Sequence, residues 1–163
     1  MTRATALAVD GQDNLLVADA GASAFKKITL AGTTSTLGGT LPASPFQLAA
    51  DPQGDIFASS AGASAVTRLT PGTTGAYTSS TFTFVPTQGS STATATTPAI
   101  YGIAADRQGN FFVADRTNEA VYEIPASNLQ AGTAESSNLN PVIKVASASV
   151  SYTHLTLPTI YSV

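Results

Sequence analysis

Carboxylates are the chemistry-bearing side chains that recur in this sequence. Asp10, Asp51 and Asp106 each stand four residues ahead of Asn14, Asp55 and Asn110, and Asp13 adds a further oxygen donor beside the first pair. Oxygen-rich loops of this kind suit calcium. They equally suit a tight turn, in which the aspartate accepts a backbone N–H from a residue that follows it, and Gly, Asn or Asp tolerates positive φ three residues on. A dedicated ion site would not normally repeat in every copy of a motif, whereas a turn must. The repetition therefore assigns Asp10, Asn14, Asp51, Gly54, Asp106, Gly109 and Asn110 to turns, and Asp19 and Asp115, which recur in the same way, to structure as well. No catalytic, metal-binding or cofactor-binding residue is expected, and no cofactor.

The remaining side chains support that expectation. There is no cysteine, and His154 is the single histidine, so thiolate zinc sites and nucleophile–histidine triads have no material. Arg107 and Arg116 flank Asp106 and Asp115, as solvated surface arginines often flank turns. Tyr101 and Tyr122 are expected to pack between units. Gly38-Gly39 and Gly72 to Gly75 lack the following Lys-Ser/Thr pair of a phosphate loop and read as turns.

The elements that position these residues come from an internal repeat. Three segments align without gaps: LAVDGQDNLLVADAGASAFKKI from Leu7, LAADPQGDIFASSAGASAVTRL from Leu48, and IAADRQGNFFVADRTNEAVYEI from Ile103. Each opens with a short apolar strand (Leu7 to Val9, Leu48 to Ala50, Ile103 to Ala105), small enough to be buried on both faces near a crowded axis. The aspartate turn follows, and an antiparallel second strand (Leu15 to Ala18, Ile56 to Ala58, Phe111 to Ala114) ends at Asp19, Ser60 and Asp115. A third strand carries Phe25 and Ile28, Val66 and Leu69, or Val121 and Ile124. A fourth is expected at Thr34 to Leu37, at Thr81 to Val85 with Phe82 and Phe84 on one face, and at Val142 to Ala146.

Matching aspartates lie 41 residues apart in the first interval and 55 in the second. The additional length is assigned to loops, Pro71 to Ala76 and the low-complexity stretch PTQGSSTATATT at 86–97. Another polar loop spans 126–140.

This pattern of apolar strand, Asp-x-x-Gly-Asn, second strand ending Val-Ala-Asp, polar loop and third strand resembles the NHL repeat. The third unit matches it best; the first has Asp13 in the glycine position, and the second has Ser59-Ser60 where the others have Ala-Asp. The resemblance implies an all-β fold, a partial, open β-propeller of three four-stranded antiparallel blades at 1–42, 43–97 and 98–149. It also implies a ring, generally of six blades, that presents a face to a protein, nucleic acid or ligand. Three blades fall short of the about 4 to 8 that close a propeller, so the expectation is a piece of a longer chain whose further blades cover the ends.

The tail departs from the repeat. VSYTHLTLPT, from Val150 to Thr159, resembles the in-frame translation of a sequencing-library adapter, which would make 150–163 a non-native tail on a metagenomic sequence and remove His154 from consideration.

Composition narrows the function further. Seven basic against ten acidic residues give a net charge of −3, which argues against nucleic acid as a partner. No stretch approaches the length of a membrane span. A charged fraction of 10%, low for a cytosolic chain, points to an extracellular or cell-surface parent, with a bacterial source expected. The leading expectation is a non-enzymatic binding or scaffold module for a protein or small-molecule partner. The alternative is part of a lactonase- or lyase-type propeller enzyme whose catalytic and metal residues lie in other blades.

Overall fold

The structure, a computed structural model, describes residues 1–83 and 97–126 and the backbone of 143–147. The 150–163 tail, including His154, lies outside the described residues, as do Phe84, Val85 and nearly all of the two long polar loops.

Among the described residues, twelve strands form three four-stranded antiparallel sheets. Sheet one contains β1 (Ala4–Val9), β2 (Leu15–Asp19), β3 (Ala24–Ile28) and β4 (Thr34–Leu37). Sheet two contains β5 (Pro45–Ala50), β6 (Ile56–Ser60), β7 (Ala65–Pro71) and β8 (Tyr77–Thr83). Sheet three contains β9 (Ile100–Ala105), β10 (Phe111–Asp115), β11 (Ala120–Ile124) and β12 (Ile143–Ser147). Each is an all-antiparallel meander in chain order, as short strands joined by tight turns require.

The first turn of each sheet is built the same way. Asp10 Oδ1 accepts the backbone N–H groups of Gln12 and Asn14, both at 2.9 Å. Asp51 Oδ1 accepts those of Gln53 and Asp55 at 3.0 and 2.9 Å, and Asp106 Oδ1 those of Gln108 and Asn110 at 2.9 and 2.8 Å. The position three residues after the aspartate has positive φ each time, 60° at Asp13, 90° at Gly54 and 83° at Gly109. Glycine meets that demand without a Cβ penalty.

Two expected boundaries shift. The inner strands start three residues before Leu7, Leu48 and Ile103, and β8 starts at Tyr77 rather than Thr81. The stretch assigned to a loop after Pro71 is a tight hairpin, closed by Gly72 N–H to Ala76 O at 2.7 Å and Gly75 N–H to Gly72 O at 3.0 Å. Flanking strands of seven residues each take up the length.

The sheets stack face on face with sheet two in the middle. Strand alternation gives it two apolar faces. Leu48, Ile56, Ala58 and Leu69 pack on Ala6, Leu16, Ala18 and Phe25 of sheet one, while Ala49, Phe57 and Val66 pack on Ile103, Phe111, Val113 and Tyr122 of sheet three. Tyr122 is thus buried between sheets as expected. β1 departs from expectation: Leu7 and Val9 are 57% and 60% exposed, because they point away from sheet two, whereas Val17, opposite Leu7 on the same face, is buried.

Asp51 and Asp106 occupy equal turn positions in unequal surroundings. Burial raises the pKa of Asp51 and the neighbouring Asp55 charge adds to the rise, against the lowering effect of the Asp55 and Gln53 amides. Burial also opposes ionisation of Asp106, but the Asn110 side chain and backbone hold it below the usual range. A raised folded pKa means that ionised Asp51 costs stability at neutral pH, a cost that fades as pH falls through that pKa. Asparagine retains the accepting Oδ1. Asp51→Asn is therefore expected to melt at or above the unmodified protein at pH 7, with the gap closing near pH 4, whereas Asp106→Asn melts lower at pH 7. Thermal melts followed by circular dichroism read both, and the reverse order at pH 7 would contradict the account.

Candidate functional site at the inner strand bulges

The inner strands β1, β5 and β9 lie side by side from sheet to sheet. Their ladders to the second strands break at one equivalent point. Asp19 pairs with Ala4 and Ala18 with Ala6, skipping Thr5. Ser60 pairs with Pro45 and Ser59 with Gln47, skipping Phe46. Asp115 pairs with Ile100 and Ala114 with Gly102, skipping Tyr101. Thr5, Phe46 and Tyr101 are thus three β-bulge residues at the same repeat position. Bulges re-aim side chains and are common beside active sites.

The residue that ends each second strand anchors the segment entering the bulge. Asp19, fully buried, accepts the backbone N–H of Thr2 at 3.0 Å and of Arg3 at 2.8 Å, along with the Lys26 ammonium at 2.8 Å. Lys26 is the main reason its pKa lies far below the carboxylate range, with the Arg3 amide next. Asp115 accepts the Ala99 N–H at 3.1 Å and the Thr117 N–H at 3.0 Å. In sheet two Ser60 does the equivalent with reversed polarity, its Oγ donating to Ala43 O at 2.6 Å. The departure of the second unit from the Ala-Asp pattern therefore leaves the attachment intact.

The bulge residues form one connected surface. Phe46, 50% exposed, meets the half-buried Tyr101 edge to face with centroids 5.8 Å apart. The Arg116 guanidinium lies over the Tyr101 ring at 5.4 Å, a cation–π contact. On the other side of Phe46, a cavity of about 370 Å³ is lined by Ala4, Thr5, Ala6, Leu7, Phe46 and Gln47. Gln47 Oε1 is fixed by the Ile103 N–H at 3.1 Å, which leaves its amide N–H groups as donors. The arrangement offers apolar and aromatic walls, a hydroxyl, an amide and a guanidinium.

Tyr101 thus packs between sheets two and three through Phe46, as expected, and at the same time forms part of this surface. Phe46, Thr5 and Gln47 were not singled out by the sequence, although each stands two or one residues before the aligned Leu7 or Leu48. Among the described residues no group of three or more His, Cys, Asp or Glu side chains is placed to hold a metal ion.

No family model and no curated protein matches the chain. Solved structures do. The virginiamycin B lyase from Staphylococcus aureus superposes with a TM-score of 0.52 at 16% identity, over 77% of this chain and 39% of its own. A streptogramin B lyase gives 0.53 at 19% identity, over 77% and 38%. The calcium structure of a Trichoderma reesei carbohydrate-active enzyme of family AA12 gives 0.50 at 17% identity, over 81% and 37%. The fold is that of a β-propeller. The three sheets are blades, and the chain spans about two fifths of the length of these structures.

This corrects the expectation of a non-enzymatic module, since the three structures named above, which share the fold, are two lyases and a carbohydrate-active enzyme. The earlier inference ran from missing catalytic side chains to missing catalysis. In a ring whose blades converge on one axis, any subset of blades can lack the reacting groups while the ring retains them.

Proposed function

We propose that the chain forms three blades of an NHL-type propeller enzyme of the lactonase or lyase kind, with Thr5, Phe46 and Tyr101 contacting a small-molecule substrate at the axial end of the inner strands. The observation that carries this reading is the bulge repeated at one position in all three blades. An irregularity kept in register through a repeat, and filled by a different side chain each time, serves a surface rather than the packing between blades. The walls suit an apolar or aromatic acyl group, and the Gln47 amide and Arg116 suit an ester or lactone carbonyl, while the Thr5 hydroxyl donates to Ala18 O at 3.3 Å.

In this reading the acid–base groups and any metal ligands are contributed by other blades. The NHL assignment rests on the Asp106, Gly109-Asn110 and Val113-Ala114-Asp115 pattern. An extracellular setting and a partner other than nucleic acid are supported by the low charged fraction and the net charge of −3.

The test is to read the gene outward from this segment and assay its complete product for ester or lactone opening, with and without a chelator. Turnover is expected, and Phe46→Ala or Tyr101→Ala should raise KM about tenfold, equivalent to about 1.4 kcal/mol of lost contact. The 163-residue chain alone should turn over neither. A complete product without activity, or activity in the isolated chain, would overturn the reading.

A further inference from the structure

Ala6, Gln47 and Gly102 hold one repeat position, directly before the aligned Leu7, Leu48 and Ile103. In the groove between blades two and three, Gln47 reaches across and its Oε1 accepts the Ile103 N–H at 3.1 Å. The pairing of the inner strand explains why that N–H is there to be taken. Counting back from the turn contact of Asp106 N–H with Asn110 O, ladder alternation makes Ala104 and Phe112 a hydrogen-bonded pair and Ile103 and Val113 a non-bonded one. The Ile103 N–H therefore points away from β10, toward the inner edge of the blade.

The same count in blade two starts from Asp51 N–H and Asp55 O and makes Ala49 and Phe57 the bonded pair, Leu48 and Ala58 the non-bonded one. The Leu48 N–H thus points to the inner edge as that of Ile103 does. Across the groove from it, the position of Gln47 is held by Ala6, whose methyl group accepts nothing. Among the described residues the Leu48 N–H has no acceptor. It is in this groove, between blades one and two, that the cavity of about 370 Å³ opens, with Ala6 on one wall and Gln47 on the other. Both walls belong to described blades.

We infer that this cavity binds the carbonyl group of a small-molecule amide, ester or lactone, whose oxygen takes the Leu48 N–H as the Gln47 carbonyl takes that of Ile103. The Gln47 side chain is a copy of the ligand's polar group, held in the neighbouring groove. A backbone N–H left unpaired away from water costs free energy, and the ligand's oxygen recovers it. Beyond the carbonyl, Ala4, Leu7 and Phe46 face the rest of the acyl group. The cavity is part of the surface read above as a substrate site, and the assignment rests on that reading for its ligand being a small molecule.

Amide-resolved NMR of the full chain, titrated with butyramide, γ-butyrolactone and n-butanol, tests it. The Leu48 amide proton is expected to move downfield, saturably, with butyramide or γ-butyrolactone and not with n-butanol, which has no carbonyl. Either response supports the site, and which of the two is stronger separates an amide ligand from an ester or lactone. Ala6→Gln builds the second groove's arrangement into the first. It should raise the melting temperature, because Leu48 N–H gains an acceptor, and weaken probe binding at least about tenfold. Ala6→Met fills similar space without an acceptor, so it should block the probes with no such gain in melting temperature. Gln47→Ala frees the Ile103 N–H, whose proton should then respond to the same probes. If Ala6→Gln melts below the unmodified protein, this last response decides, and its absence would overturn the inference. So would a Leu48 amide that ignores both carbonyl probes or answers n-butanol equally, or a well-folded Ala6→Gln that binds as before. Binding at Leu48 without turnover by the complete gene product would overturn the catalytic reading and leave the carbonyl site standing.

Discussion

Phe57→Ala is expected to remove about 3–5 kcal/mol of stability. Phe57 is completely buried and stacks on Phe111 with centroids 4.4 Å apart and planes 26° apart. Phe82 closes the cluster edge-on, 6.4 Å from Phe57 and 6.2 Å from Phe111. Alanine would leave a hole between two sheets whose backbones are fixed by ladders on both sides, so the site cannot collapse to fill it. Against a typical total of about 5–15 kcal/mol, that loss leaves blades two and three barely associated. Arg68 adds to the effect, since its guanidinium lies 6.0 Å from the Phe57 ring centroid while its Nε donates to Asp55 at 2.9 Å. Urea unfolding followed by circular dichroism measures the change. Phe57→Leu tests the cause: Leu16 fills the equivalent position between blades one and two, so leucine should recover much of the loss. A cost below about 1 kcal/mol for Phe57→Ala would show that this cluster does not hold the blades together.

What the sequence reveals follows from what repeats. The aspartate turns were legible because Asp10, Asp51 and Asp106 recur with the same spacing to Asn14, Asp55 and Asn110, and the hairpins they imply fix three consecutive strands per unit. The bulges were not legible. A bulge is defined by pairing, and pairing depends on which residue of the second strand lies opposite, a relation that no single strand contains. Alternation from Leu7 or Leu48 marks a strand start correctly as far as the break in register, and the three residues before it look like loop. Thr5 also differs in type from the aromatic Phe46 and Tyr101, and all three stand before the point at which the gapless alignment begins, so a search for matching types passes over them.

The expectation of burial on both faces of every inner strand failed for a related reason. Leu7 is as apolar as Leu48, and sequence alone gives both the same environment; the 57% exposure of Leu7 against 4% for Leu48 reflects what stands next to each blade. The error about enzymatic character has the same origin, in reading a property of a ring from the contents of some of its blades.

Asp19 offers the sharpest test of how the bulge is held. Asp19→Ala would strand the Lys26 ammonium, only 15% exposed, and the Thr2 and Arg3 amides that the carboxylate now receives. Removing one member of such a set costs more than the set contributes, because the remaining groups stay desolvated. A marked fall in melting temperature is expected. So is faster exchange of the Ala6 amide, just beyond the bulge. The pH dependence has a definite sign: the folded-state pKa lies well below the ordinary value of 3.8, chiefly through Lys26. The stabilisation is therefore full above about pH 4 and is lost as pH falls toward the folded pKa. Asp19→Asn should lie below the unmodified protein at pH 7 and lose less between pH 4 and 2. Blade two shows how to repair the damage. There Ser60 and Thr67 occupy the positions of Asp19 and Lys26, and Ser60 Oγ holds the entering strand through Ala43 O. Asp19→Ser alone leaves a cation without its counter-charge, whereas Asp19→Ser with Lys26→Thr reproduces the blade-two pair. The double variant should accordingly be more stable than Asp19→Ser, a positive coupling that a double-mutant cycle reads directly. Additive effects would mean that the carboxylate and ammonium act separately, and that the anchor owes nothing to their pairing.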